Sequence, residues 1–412
     1  MSDVDTSPVW LTTLRSTSNA ALETLDAPSD SEEVWRYSRI ADIDLPGFVP
    51  VQEPSSEIAP IALADAGALV VVRDGWITHV EISDPSNTFV GSLSQHEAGE
   101  QIYGAMRRGE LDAVARLHDA TVGDPVFIDV PAGVAVAAPI MIDTYSNVAG
   151  GVTAPHTVIR AGRGSAVTVV ERRRSGEAEQ LVLPIVEIDA GPDSRVEYQV
   201  VQQLGTKTIS IEHHVSDADQ QAHVISAVAA FGGSYARTRA DFHLVGRGAS
   251  GDLLAAYFGD GEQMLDFRTF QEHAAPDTTS NLLFKGAVTG SASSVYTGLI
   301  RVAESAPGTN AFQTNRNLKL SDDAWAYSVP NLEIEQNDVS CSHASTVGEI
   351  DDDQRFYLES RGVPTNMAEQ LLVTGFFTDV IEQMPVHSLR GELGGIIDAA
   401  LAADRAAHEA AS

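Results

Sequence analysis

The chain has 412 residues, with 26 basic against 58 acidic side chains and a formal net charge of −32. So large an acidic excess excludes the basic patches with which proteins hold nucleic acid or anionic membrane surfaces. A hydrophobic content of 43% excludes general disorder, and the length calls for an elongated repeat fold or for about two to three domains.

The start, Met1-Ser-Asp-Val-Asp5, has neither a basic n-region nor an apolar h-region, so a secretory leader is not expected. No stretch approaches the roughly 18 consecutive apolar residues of a membrane-spanning helix. Trp10, Leu11, Leu14, Ala21, Leu22 and Leu25 recur at near-helical spacing, predicting a helix that Pro28-Ser-Asp-Ser31 ends. Ser31 and Glu33 then open a short second helix carrying Trp35 and Tyr37. Ala68–Val72 and Ile77–Ile82 flank Asp74-Gly75, the turn of a β-hairpin. Ile102 to Leu117 reads as helix again, which completes a mixed helical region over 1–120.

From Val126 the period changes from helical to two. Val126–Val130, Ala166–Glu171, Arg195–Val200, Thr208–Glu212, Ala222–Val228, Ala240–Val245, Ser294–Val302 and Leu332–Glu335 alternate as strands, with Gly, Asp, Ser and Asn at the joins. Long helices are missing over roughly 200 residues, which excludes βαβ units and a doubly wound sheet. So long a run suits a parallel β-helix over 121–352 better than one sandwich, although no strict repeat is visible. Residues 353–412 return to helix. Met367, Leu371, Leu372, Phe376, Val380 and Ile381 line one face over Asn366–Met384, Pro385 stops it, and Ser388 to Ala407 forms a second amphipathic segment. Two such helices beyond a solenoid either cap its last coil or receive a partner.

Enzyme signatures are missing. There is no Walker A loop, no Gly-x-Ser-x-Gly and no His-Glu-x-x-His. Gly246-x-Gly-x-x-Gly251 follows a strand but opens no helix, so it reads as a solenoid turn. His213 and His214 are adjacent on a strand and point to opposite faces, which disfavours joint ligation of one metal. His273, beside a strand end, is either a ligand or a packed polar residue. Cys341 and His343, two apart on a strand, share a face, and thiolate and imidazole suit iron and iron–sulfur clusters. Cys341 is the lone cysteine, so no internal disulfide can form and a reducing cytoplasm is the expected setting. One thiolate also cannot hold a cluster by itself; other ligands would have to come from another chain.

The C-terminal third resembles the SufB/SufD family of iron–sulfur cluster assembly scaffolds. The likeness runs through Glu272-His-Ala-Ala-Pro-Asp-Thr-Thr-Ser-Asn281, Phe284-Lys-Gly286, Gln313-Thr-Asn-Arg-Asn-Leu-Lys-Leu-Ser321, Pro330-Asn-Leu-Glu-Ile-Glu335, Asp338-Val-Ser-Cys-Ser-His-Ala-Ser-Thr-Val-Gly-Glu-Ile-Asp351 and Phe356-Tyr-Leu-Glu-Ser-Arg-Gly-Val363. It extends more weakly to Val130-Pro-Ala-Gly-Val134 and Glu33-Val-Trp-Arg-Tyr-Ser38. Within the family the SufD branch fits better than SufB, whose members are longer and richer in cysteine.

The resemblance implies a right-handed parallel β-helix between helical terminal regions, with no reaction catalysed by this chain alone. It implies a heterodimer with SufB through the β-helix and docking of the SufC ATPase on the C-terminal helices, which carry Phe356, Tyr357, Arg361, Gly362, Leu371 and Phe376. A homodimer in isolation is the further partner expectation. It also implies a transient cluster or iron shared with the partner at Cys341 and His343, and no nucleotide on this chain. The competing readings are a SufB-like paralogue, a purely structural subunit with Cys341 and His343 packed in its core, and a β-helix enzyme acting on acidic polysaccharide. Scarce lysine (Lys207, Lys285 and Lys319 only) argues against the last.

Overall fold

Period-two strands must bury one face and find cover for the other, and the strands from Val126 to Gly348 do so by winding into a parallel β-helix. The computed structural model describes residues 7–83 and 87–411, so the leaderless start read from Met1–Asp5 lies outside the described residues. The strands divide between two sheets, and from Val126 onward each pairs in parallel with the strand one coil away, while Phe89–Ser92 and Trp76–Ile82 add antiparallel edges. The first sheet runs Phe89–Ser92, Val126–Val130, His156–Ala161, Ile185–Ala190, Thr208–Ala218, Tyr235–Leu244, Met264–His273, Ser293–Val302, Trp325–Ile334. The second runs Trp76–Ile82, Ala68–Arg73, Ile140–Ser146, Ala166–Ser175, Arg195–Gln203, His223–Ala230, Ser250–Gly259, Thr279–Val288, Thr309–Lys319, Val339–Gly348. Tyr198 lies over Val169 and under Ser226, so roughly 28 residues make one coil, within the range of solenoid repeats. The long run of alternating strands thus forms the expected solenoid.

One corner explains why the coils share no visible sequence repeat. Gly164, Asp193, Gln221, Gly248, Asp277 and Gly308 occupy equivalent turns, all with φ between 55° and 76°. The amide of each reaches a carbonyl of the next coil, as Gly248 does to Pro276 and Asp277 to Pro307, at 3.0 and 2.8 Å. The corner selects for a left-handed backbone, which glycine, aspartate and glutamine all supply here, and not for one residue type. Gly248 is the middle glycine of the Gly-x-Gly-x-x-Gly match, which is therefore a solenoid turn.

Three apolar layers follow from the two faces of each sheet. The lumen holds Val70, Ile142, Val169, Tyr198, Val224, Phe242, Leu253, Phe267 and Phe284, among others. The outer face of the first sheet is covered by the N-terminal region, with Trp35, Ile40, Leu45 and Val114 on Leu181, Ile211, Tyr235 and Val295. Leu11, Tyr103 and Met106 cover Phe127, Val158 and Val215. The outer face of the second sheet is covered by the C-terminal helices, through Val373, Phe377, Val380, Met384, Leu393 and Ile397 on Val201, Ile225, Leu254 and Phe258.

The N-terminal region departs from its reading in two places. The hairpin forms, with Asp74 and Gly75 at φ 53° and 88°, but Ala68–Arg73 also pairs in parallel with Ile140–Ser146 and so starts the second sheet. The helix expected over 102–117 is broken into Gly99–Ile102 and Ala113–Thr121. Gly104 and Gly109 take φ of 71° and 81°, and the Asp112 carboxylate caps the second piece by accepting from the Ala115 amide at 2.9 Å.

The C-terminal helices, Asp352–Ser360, Thr365–Ile381 and Arg390–Ala411, lie along the flank and do not close the last coil. Two ion pairs pin them. Arg172 grips Glu392 through both guanidinium nitrogens, and Lys285 pairs with Asp379 while donating to the Phe376 carbonyl at 2.7 Å. The Phe376 ring lies 4.7 Å from the Lys285 ammonium. In the lumen beside this anchor, Gly286 has no room for a side chain, since an added Cβ would meet the Tyr257 ring at 1.9 Å. Gly286→Ala is expected to destabilise the fold by about 1–3 kcal/mol through overpacking, read as a lower urea midpoint with an unchanged slope.

Candidate functional site

In a parallel pair, register partners stack on the same face about 4.8 Å apart, so interior residues form columns along the solenoid. Ala311 pairs with Cys341, Gln313 with His343, Asn315 with Ser345 and Asn317 with Val347. The lower member of each pair is buried in the lumen, so Cys341, His343 and Ser345 carry the same interior face one coil further. Among the described residues no further strand stacks on Val339–Gly348 or on Trp325–Ile334, so this interior face is open to solvent. Cys341 and His343 share a side of the strand, as their spacing implies, and that side is the mouth of the solenoid.

Their surroundings differ. Cys341 is half-buried against Ile300, Val302, Ala306, Ala311 and Leu332. Burial pushes its thiol upward, partly offset by a hydrogen bond with the Ala311 backbone, so the isolated chain keeps it protonated. His343 is exposed. Among the described residues no group of three or more His, Cys, Asp or Glu side chains stands close enough to hold a metal ion. Two candidate ligands at an open end would form half of a site at most.

Below the mouth the lumen turns polar. Ser345 donates to Ser328 at 2.6 Å, and Ser328 to Asn315 at 2.9 Å. Asn317 donates to the Asn315 carbonyl oxygen at 2.7 Å, and the Tyr257 hydroxyl to Asn317 at 2.6 Å. Gln313 donates to the Tyr296 hydroxyl, which also meets Thr269 at 2.9 Å. This chain of hydroxyls and carboxamides replaces the valines and phenylalanines of earlier coils. The Asn-Arg-Asn-Leu segment contained its residues, but only the register reveals that they line a lumen.

The other histidines separate cleanly. His273 is fully buried, with Nδ1 to Thr278 and Nε2 to Ser280, both at 2.8 Å. Both ring nitrogens are occupied, which makes it a packed polar residue. His213 and His214 do face opposite sides: His213 meets Asp241 at 3.0 Å outside, and His214 contacts Glu212 inside. His214 is 2% exposed and lies within the lumen. There it joins a network that no spacing announced. Arg173 binds Glu171 at 2.8 Å and also Glu212, while Tyr198 donates to Glu171 at 2.8 Å.

The residues singled out on the C-terminal helices also divide. Phe356, Tyr357 and Leu371 are 69%, 57% and 51% exposed, with Met367 beside them at 54%. Arg361 lies 5.2 Å over the Tyr357 ring, and Gly362 turns the chain at φ 87°. Phe376 instead faces inward on Lys285 and the neighbouring Phe377, so it holds the helix to the solenoid.

Known proteins match this sequence. The family model for the SUF system FeS cluster assembly SufBD core domain covers residues 144–376. An iron-sulfur cluster assembly SufBD family protein of Mycobacterium tuberculosis is 30% identical over 388 residues, spanning 92% of this chain and 90% of the relative. The iron-sulfur cluster assembly protein SufD of Bacillus subtilis is 27% identical over 412 residues, spanning 95% and 94%. SufD of Escherichia coli is 32% identical over 187 residues, 44% of each chain.

Burial lowers the His273 imidazole to about 4. Between about pH 6.5 and 4 the unfolded chain binds a proton that the folded residue refuses, so stability is full above that window and falls by about 1.4 kcal/mol per pH unit within it. Comparing urea unfolding at pH 7 and pH 5, His273→Gln is expected to shrink the loss by about 2 kcal/mol. An equal loss in both proteins would place the acid sensitivity elsewhere.

Proposed function

Because the chain belongs to the SufBD family of iron–sulfur cluster assembly proteins and within it is most like SufD, we propose that it is the SufD-type subunit of a complex with a SufB-type chain and the SufC ATPase. In this reading it builds and passes on nascent clusters in a reducing cytoplasm, contributing shape and ligands without a reaction of its own. The observation that carries the reading is the open mouth of the solenoid. Its last strands have unpaired edges, and its luminal face holds one thiol and one imidazole and no third ligand close by among the described residues.

An unpaired edge invites another strand, and a homologous solenoid is the partner whose edge matches it in length and polarity. A second chain set against the mouth would do three things at once. It would pair the free edges, cover the polar lumen and supply the missing ligands. Enclosure would also change Cys341. Iron arriving as cargo would bind Cys341 as the thiolate, releasing its proton to solvent against the upward push that burial gives the thiol. His343 offers an imidazole nitrogen beside it from an exposed position.

The ATPase contact is assigned to Phe356, Tyr357, Arg361, Gly362 and Leu371. Leu371 lies on Thr365–Ile381, whose opposite face is committed to the solenoid, while Phe356 and Tyr357 lie on Asp352–Ser360, which buries no residue, so their apolar area is free for a partner. This separation makes a point-mutant test possible without uncovering the core. Phe356→Asp combined with Leu371→Asp is expected to abolish co-purification with SufC while leaving pairing with SufB and the melting temperature unchanged. Retained SufC would remove these helices from the interface.

His343→Ala is expected to lower cluster yield at least several-fold in the reconstituted three-subunit complex, with subunit stoichiometry unchanged by mass spectrometry. Undiminished cluster absorbance would remove the ligand role.

A further inference from the structure

Beneath His343 lies an unpaired acceptor. Gln313 is its register partner on the luminal face and is 1% exposed. Its amide nitrogen is committed to the Tyr296 hydroxyl on the facing sheet, yet its carbonyl oxygen Oε1 is buried with no hydrogen-bond partner. Such a buried orphan is unfavourable unless something donates to it. The fold makes room for this side chain deliberately. Gly298, opposite, lacks the Cβ that would strike the Gln313 amide at 1.7 Å and the Tyr296 hydroxyl at 2.3 Å. Tyr296 is held in turn by Thr269, so the carboxamide is fixed from below and across while its oxygen remains unused.

We propose that Gln313 is the positioning residue for His343, accepting the imidazole N–H on Oε1 so that the other ring nitrogen presents its lone pair at the mouth. One strand spacing of about 4.8 Å separates their backbones, and a His343 rotamer turned into the lumen would set the ring over the carboxamide. The gain is tautomer control. A free imidazole divides its proton between two nitrogens, whereas an acceptor on one side assigns it, as outer-shell partners do for metal-bound histidines. A carboxamide serves this end better than a carboxylate in one respect: it orients the ring without adding charge to an already acidic chain.

The inference deepens the cluster-assembly reading, but its test does not depend on clusters. In the full-length protein labelled with 15N-histidine, the ring signals of His343 among the 12 histidines are assigned by their loss in His343→Ala. At a pH where the ring is neutral, one tautomer is expected to dominate. Gln313→Leu is expected to return His343 to a mixture, and Gln313→Glu, which keeps an acceptor in place, to retain the dominant form. Gln313→Leu is compared at matched far-ultraviolet circular dichroism, and the glutamate variant guards against a packing artefact. An unchanged tautomer ratio in Gln313→Leu, or a mixture already present in the parent protein, would overturn the proposal. If instead the tautomer responds while cluster yield ignores His343→Ala, positioning stands and the ligand role falls.

Discussion

A parallel solenoid cannot finish itself. Each coil satisfies its backbone and buries its interior only by means of the next, and the coil ending at Gly348 has no next. Everything of functional interest here depends on that constraint. Cys341 and His343 occupy positions that one coil earlier would be sealed core, like Ala311 and Gln313 beneath them. The same stacking that keeps the lumen dry elsewhere leaves their face to whatever is placed against the end.

The lumen changes character along its length, and the change has a physical direction. Early and middle coils bury Val, Ile, Leu and Phe, interrupted by the Glu171–Arg173–Glu212 network. Its charges are tolerable because each is matched by an opposite charge or a hydroxyl within hydrogen-bond reach. Toward the mouth, carboxamides and hydroxyls take over, from Tyr257 and Tyr296 to Asn315, Asn317 and Ser345. A polar interior costs less where water or a second chain can reach its outermost members, and it avoids presenting a bare apolar disc at the open end.

The terminal regions complete the other two faces and leave the mouth alone. Trp35, Leu45 and Tyr103 cover one sheet from the N-terminal side, and Val373, Phe377 and Leu393 cover the other from the C-terminal side. Lys285, one of three lysines, is spent on anchoring the C-terminal helices through Asp379 and the Phe376 carbonyl. Because Thr365–Ile381 is fixed by its inner face and Asp352–Ser360 buries no residue, Leu371 and Phe356 stand in water without loosening the fold. Two surfaces, the mouth and the helix flank, are thereby separated, so that contact at one need not disturb the other.

Local pattern alone determined much of this. Period-two alternation with turn residues at the joins specified strands, their number excluded helical crossovers, and the spacing of Cys341 and His343 put them on one side of a strand. The lone cysteine already required that any cluster be shared. What only the tertiary structure decided depends on residues far apart in the chain. The left-handed corners at Gly164, Asp193, Gln221 and Gly248 hid the repeat, because a backbone conformation is conserved from coil to coil while the side chain is free to vary. The break at Gly104 and Gly109 split an apolar run that read as one helix. His214 and Glu212 became lumen residues, and Gln313 came to lie beneath His343, through register between strands roughly 30 residues apart, which no local period records. The sequence singled out Cys341 and His343; stacking in space decided that they stand at an open end, with Gln313 beneath His343.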